Sequence, residues 1–443
     1  MSEGSVVRRL AAALGVPLLL VLVQQQLLLR QRPHVVGLRP AAASAGPAAL
    51  KARFSRPLPA DAVQAASALA PPLAHRWLGS GDSLSLVLNG SDPLPGPLQL
   101  RLAGRDRRGL ALAPTLWRWD PRARVLAVVP TAGGERLELR DHDGRWRPLG
   151  PVWPRLVALE PLGDGSGVAV VSADREGRQR AWRIPLRQHS LSPAGRPALL
   201  GLEPPQPLGP GDRTYVHLSA DRLGNLLLQS GPAGAGAEQI ELRPPRGWPR
   251  RLALTSAGPL RLLPEGGAVV VPRSDGLALQ PLRGAGGQVL PGRRDLISFC
   301  PQSGRALLLR HWPDYRRSLE LVEPGLAPRQ LWLGQTAVLA TACAGGGQRL
   351  WLLLLDGLER PRLSLLALDR RGRPLARRAL EGWQVAPGAT LAYDPASGLL
   401  LTSLRRQGQA AGAAAEAVLI DARSLEARGL GRAALQTAWL PPG

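Results

Sequence analysis

The residue types that break bonds or hold metals are present in this chain, but they are not arranged to do either. Six histidines (His34, His75, His142, His189, His217 and His311) never fall at a metal-ligand spacing. Two cysteines, Cys300 and Cys343, are too few for a disulfide framework or a Cys-based zinc site. No Gly-x-Ser-x-Gly elbow, phosphate-binding Gly-Lys loop or dinucleotide fingerprint occurs. The carboxylates offer one pattern. Asp120 and Asp394 occupy matching places in similar stretches, and Asp221 stands in a related one. Carboxylates so paired could do acid–base work or hold calcium around an axis. Asp before Pro, however, more often closes a turn, and that structural reading is preferred. Cys300 and Cys343 also match in position, one repeat apart, and read as small buried residues with a disulfide as the alternative. No catalytic, cofactor-binding or metal residues are therefore assigned.

The stretch best suited to touching another molecule runs from His311 to Arg317. His311, Trp312, Asp314, Tyr315, Arg316 and Arg317 combine the aromatic and arginine types enriched at interface hot spots. The competing reading is a loop whose aromatics pack on neighbouring structure.

The elements that carry these residues are short. In Ala389–Leu404 an apolar run meets a Tyr-Asp-Pro-Ala-Ser-Gly turn and a second apolar run follows at once, which reads as two antiparallel strands. Similar runs recur at Leu84–Leu88, Val125–Val129, Val168–Val171, Leu226–Leu228, Val269–Val271, Leu307–Leu309, Leu350–Leu355 and Leu399–Leu401. Their starts average about 45 residues apart, the period of a β-propeller of four-stranded blades. A strand of alternating character follows each, from LQLRL at Leu98 to AVLID at Ala417. The fold expected is all-β: a single propeller of eight blades by repeat count, or seven if residues 73–112 are only a preceding strand cluster. Ala433–Leu440 reads as one more first strand, which would pair with the first blade and close the ring.

The turns in FCPQSGRALLL (Phe299–Leu309), YDPASGLLL (Tyr393–Leu401) and WDPRARVLAVV (Trp119–Val129) resemble the WD40-like repeat of TolB-type propellers. The resemblance covers about three units well. It implies a fold and no particular partner.

Ahead of the repeats, Arg8 and Arg9 precede an apolar run, Leu10–Val23, which continues through three glutamines to Leu29. Its length suits a membrane-spanning signal anchor, with a cleaved signal peptide as the alternative. The organisation expected is a tail at 1–9, the anchor or signal peptide at 10–29, an Ala/Pro-rich linker at 30–72 with a short helix over Asp61–Leu69, and the propeller at 73–443. A Pro-rich insertion at about 187–213 could cover one face of it.

The net charge of +23 is almost wholly arginine, Lys51 being the lone lysine. Such a skew more often follows from nucleotide composition than from a ligand, though anionic polymers or lipid headgroups stay open as partners. Nucleic acid is disfavoured, because no basic helix or aromatic stacking pair accompanies the charge. The expectation is a membrane-anchored, extracytoplasmic (periplasmic or equivalent) interaction platform with a protein partner, no cofactor and no evident catalysis. The alternative is a propeller enzyme or ligand-binding protein that works on glycans or other anionic polymers through the central channel.

Overall fold

Runs of β-branched and leucine side chains four to eight residues long, cut by Gly, Pro and Asp, cannot continue as helices and pair as strands. The computed structural model describes residues 30–443 except 42, 44–45, 189, 195–199, 233–235, 285, 302–303, 358, 360 and 410–413, together with residues 21 and 24–26. Within these residues nine antiparallel sheets form, seven of four strands and two with a fifth short strand.

Seven sheets are propeller blades. The first joins Gln436–Leu440 to Arg124–Thr131, Gly134–Arg140 and Trp146–Trp153. The innermost strands of the next six begin at Arg155, Val216, Arg261, Arg294, Ala337 and, as two short pieces, Trp383 and Ala392. Innermost strands touch in ring order: Arg155–Pro161 lies against both Gln436–Leu440 and Val216–Ala220, and Ala392–Asp394 returns to Gln436–Leu440. Apolar side chains pack mainly between blades. Leu126, Leu139, Val168 and Ile184 share one core across blades 1 and 2, and Trp351, Leu365, Leu400 and Ile420 share another across blades 6 and 7. The count is thus seven, the alternative in which residues 73–112 are a preceding strand cluster, and not eight.

The surplus sheets come from the region assigned to a linker and a first blade. Strand β1 (Val35–Ala41) pairs with β2 (Ala49–Phe54), β2 with Ser83–Leu88, and Ser83–Leu88 with His75–Ser80. A facing sheet contains Ala68–Ala70, Leu98–Leu102 and Thr115–Trp119. Phe54, Leu50, Leu84, Leu98, Leu100 and Trp119 fill one core between them, with Val63 of helix α1 (Ala60–Ala66). Residues 35–119 are therefore a two-sheet module. The alternation in LQLRL is real, but its buried face meets a second sheet of the module rather than a blade. Trp119 likewise ends a strand of the module, because the inner place it would take in blade 1 is filled by Gln436–Leu440. Among the described residues no helix is long and apolar enough to cross a membrane. The segment expected to anchor the chain, 10–29, lies almost entirely outside them.

The insertion after blade 2's third strand straps the module down, since Leu191–Pro193 adds to the module sheet beside Thr115–Trp119. Trp119 is the largest fully buried side chain of the module core. Trp119→Ala should cost about 3–5 kcal/mol, read as a lower denaturant midpoint for the module's transition. A loss under about 1 kcal/mol would mean the two sheets do not depend on this core.

Candidate functional site

In blades 2 to 7 the turn between the inner and second strands lies at one end of the ring. Antiparallel alternation sends the turn between the second and third strands to the other end. The sequence-selected residues divide between these two faces.

On the inner-turn face lie Asp221 and Asp394, with Asp120 in the link that enters blade 1. Asp221 accepts from the backbone N–H of Leu223 and Asn225 (both 2.9 Å) and from the Asn225 amide (2.6 Å). Burial pushes its carboxyl up, against the pull of the Asn225 bonds. Asp394 accepts from Ser397 N–H (3.0 Å) and, across the ring seam, from Ala123 N–H (3.3 Å). Burial pushes this carboxyl up as well. Asp221 thus spends its oxygens on its own turn, and Asp394 on its turn and the seam, which suits carboxylates that close turns. Asp120 differs. Arg122 grips it with Nε and Nη2, both at 2.9 Å, and His142 Nδ1 lies 2.9 Å from its Oδ2. Burial alone would raise the Asp120 carboxyl, but the Arg122 and His142 contacts outweigh it and hold the group well below the usual carboxylate range.

The mouth of the central channel opens on this same face. A cavity of about 300 Å³ there is lined by Pro121, Pro264, Pro301 and Pro395 from the ring and by Pro40 and Pro47 from the module. Among its described lining residues Asp394 is the one carboxylate and no histidine takes part. The module's β1–β2 hairpin lies across the mouth. Gly46 in that hairpin has φ +79°, and a Cβ there would run into the Leu88 carbonyl oxygen. Only glycine lets the loop close so tightly.

Cys300 and Cys343 also end inner strands on this face, in blades 5 and 6, and they form a disulfide. This corrects the reading of two separate buried thiols. Equal positions in adjacent blades bring the two Cα atoms within 4.9 Å, well inside bridging reach. Equivalent position alone did not reveal how closely neighbouring inner strands approach.

The His311–Arg317 segment forms the hairpin turn on the opposite face. Trp312 N–H donates to the Arg316 carbonyl (3.0 Å) and Tyr315 N–H to the Trp312 carbonyl (3.2 Å), which closes the turn. Trp312 is engaged within its own blade: its indole N–H donates to buried Ser318 Oγ (2.9 Å), and Arg310 stacks 3.9 Å from its ring. His311 Nε2 pairs with Asp295 Oδ2 (2.7 Å) and Arg316 Nε with Asp314 Oδ2 (2.6 Å). Arg317 pairs in the ladder with His311. Tyr315 is left over, 89% exposed at the tip, with φ +63°.

The sequence reading missed a cluster of guanidinium groups around Asp120, from Arg118, Arg122, Arg124 and Arg147. They are spread over about thirty positions, and the strand pairing of blade 1 and the module, which brings them together, cannot be read from spacing.

No family model matches the chain, and no curated protein matches it by sequence. Solved structures resemble it at the level of fold. TolB from Acinetobacter baumannii aligns over 66% of this chain and 78% of its own, at 12% identity and TM-score 0.38. AztD from Citrobacter koseri aligns over 72% and 98%, at 11% identity and TM-score 0.45. The β-propeller domain of the Trilobed protease from Pyrococcus furiosus aligns over 78% and 96%, at 9% identity and TM-score 0.41. The sheet order itself defines the class: this is a β-propeller with an added module.

Two predictions follow from the inner-turn face. A carboxylate whose folded pKa is depressed stabilises above its unfolded pKa, about 4, and that stability fades as pH falls toward the folded value. Asp120→Asn should therefore cost about 3 kcal/mol at neutral pH. The gap from wild type should narrow below about pH 4 in urea melts, and a gap independent of pH would refute the ion-pair account. Replacing both Cys300 and Cys343 by Ser, which opens a loop of sequence separation 43, should lower stability by about 2–4 kcal/mol. Reductant should produce the same loss in wild type and none in the variant.

Proposed function

We propose that the protein is a membrane-anchored, extracytoplasmic interaction platform, whose propeller presents the His311–Arg317 hairpin to a protein partner. The observation that carries this reading is Tyr315. An L-residue in the left-handed region costs about 1 kcal/mol where Gly or Asn would cost less. Here the strained residue is a large aromatic with almost its whole surface in water, so no packing in the chain offsets the strain. Such a cost at an exposed position is the mark of a residue kept for contact. The hairpin beneath it is well braced, through Trp312–Ser318, Arg310–Trp312 and Arg316–Asp314, so the aromatic is presented with little ordering cost.

Two further features support the placement. The inner-turn face is occupied by the chain's own module and its mouth is mostly Pro, Ala and Gly, which argues against channel chemistry. The Cys300–Cys343 bridge suits an oxidising compartment. Residues 30–34 alone separate the apolar segment 10–29 from β1, so an anchor there would hold the module next to the bilayer and leave the Tyr315 face outward.

The test is copurification with detergent-solubilised wild type and Tyr315→Gly. The glycine variant should unfold at the same or a slightly higher temperature, since it relieves the backbone. It should also lose any partner that wild type retains at both low and high salt. A partner retained in full by the variant would refute the role of the hairpin.

A further inference from the structure

The guanidinium cluster around Asp120 lines a cavity of about 320 Å³, where the module, blade 1 and the blade 2 insertion meet. Arg118 enters from the module strand Thr115–Trp119, Arg124 from the second strand of blade 1, and Arg147 from its outer strand. Gln188 arrives from the insertion.

The carboxylates in this pocket are already committed. Asp120 is taken by Arg122 and His142. Asp141 Oδ2 is taken by Arg147 Nε at 2.6 Å, and its Oδ1 stands 4.0 Å from Arg124 Nε. Asp143 faces Arg145 at 3.5 Å on an exposed stretch. What remains is cationic and underused. The Arg118 guanidinium has no hydrogen-bond or ion-pair partner among the described residues, although its backbone is locked between Gln99 and Ser192. Arg124 gives one bond, from Nη1 to Gln188 Oε1 (2.8 Å), while its buried Nε has no hydrogen-bond partner. Burial pulls the Arg124 guanidinium below its usual range; the attraction of Asp141 and Asp120 opposes this, and repulsion from Arg118 and Arg147 adds to it.

Two arginines lining one cavity with spare donors, one of them mostly out of water, form a fork for an oxyanion. The geometry points to a binding site for one small anionic ligand, a phosphate monoester or a carboxylate, held between Arg118 and Arg124 with Gln188 at its edge. An anion there would bridge module and ring, since Arg118 belongs to one and Arg124 to the other. The inference does not rest on the Tyr315 hairpin and is tested apart from it.

Calorimetric titrations of the full chain in detergent, at low ionic strength, would use glucose 6-phosphate, glucuronate and neutral glucose. Saturable one-site binding of either anion with glucose silent is the expected result, and whichever anion binds tells phosphate from carboxylate. Binding of neither anion, or equal binding of glucose, overturns the site. Arg118→Gln should weaken binding by about tenfold to a hundredfold, the cost of charge-assisted hydrogen bonds. Unchanged affinity in that variant also overturns the site. A second measurement needs no variant: the anion that binds should shield Arg118 of wild type from phenylglyoxal while leaving exposed Arg246 reactive. Equal shielding of both would mean diffuse charge binding and would refute the pocket.

Discussion

The structure depends on one strand pairing, Gln436–Leu440 against Arg124–Val128. A ring of sheets holds together only if its last blade is tied to its first, because each blade buries its apolar faces on two neighbours. The end of the chain supplies the innermost strand of blade 1, and the consequences spread from there. The segment just before blade 1, Thr115–Trp119, is excluded from the ring and must find another sheet. It finds one in the module, which then sits on the inner-turn face and lines the channel mouth through Pro40 and Pro47.

Several contacts reinforce this seam. Arg432 of blade 7 forks onto Glu138 of blade 1 (2.9 and 2.7 Å), a carboxylate almost without exposure. Ser403 and Thr437 share a hydrogen bond (3.1 Å), and Asp394 takes the Ala123 N–H. A buried ion pair contributes little net stability once desolvation is counted, so the seam rests mainly on strand pairing and apolar packing. The charges select register instead, since a slipped strand would bury them unpaired. The module is tied at separate points: Leu94 N–H donates to Ala396 O (2.8 Å), Arg423 pairs with Asp92 (2.7 Å), and Leu191–Pro193 extends its sheet.

The two faces of the ring have accordingly become unlike. One carries the chain's own module and gathers Asp120, Asp221 and Asp394, the disulfide and the arginine cluster. On the other, the His311–Arg317 hairpin carries Tyr315 at its exposed tip. The six residues of the His311–Arg317 stretch were legible as a group, because Trp, Tyr and Arg together in a turn are unusual. Their division was not legible. Trp312 is spent on Ser318 and Arg310, and the exposure and backbone conformation of Tyr315 set it apart from those neighbours.

Local features of the sequence determined which residues are strands and where they turn. Alternation and Pro–Gly punctuation act over a few residues, so the runs at Val168, Leu350 or Leu399 read correctly without any partner in view. The same locality explains the errors. A strand such as Leu98–Leu102 shows one apolar face whether it packs on a blade or on a second sheet, and only tertiary packing decides between them. Tertiary structure alone decided the count of seven blades, the Cys300–Cys343 bridge and the meeting of Arg118 with Arg124. Each of these depends on contacts between positions whose spacing is set by ring closure, and no short-range pattern encodes that distance.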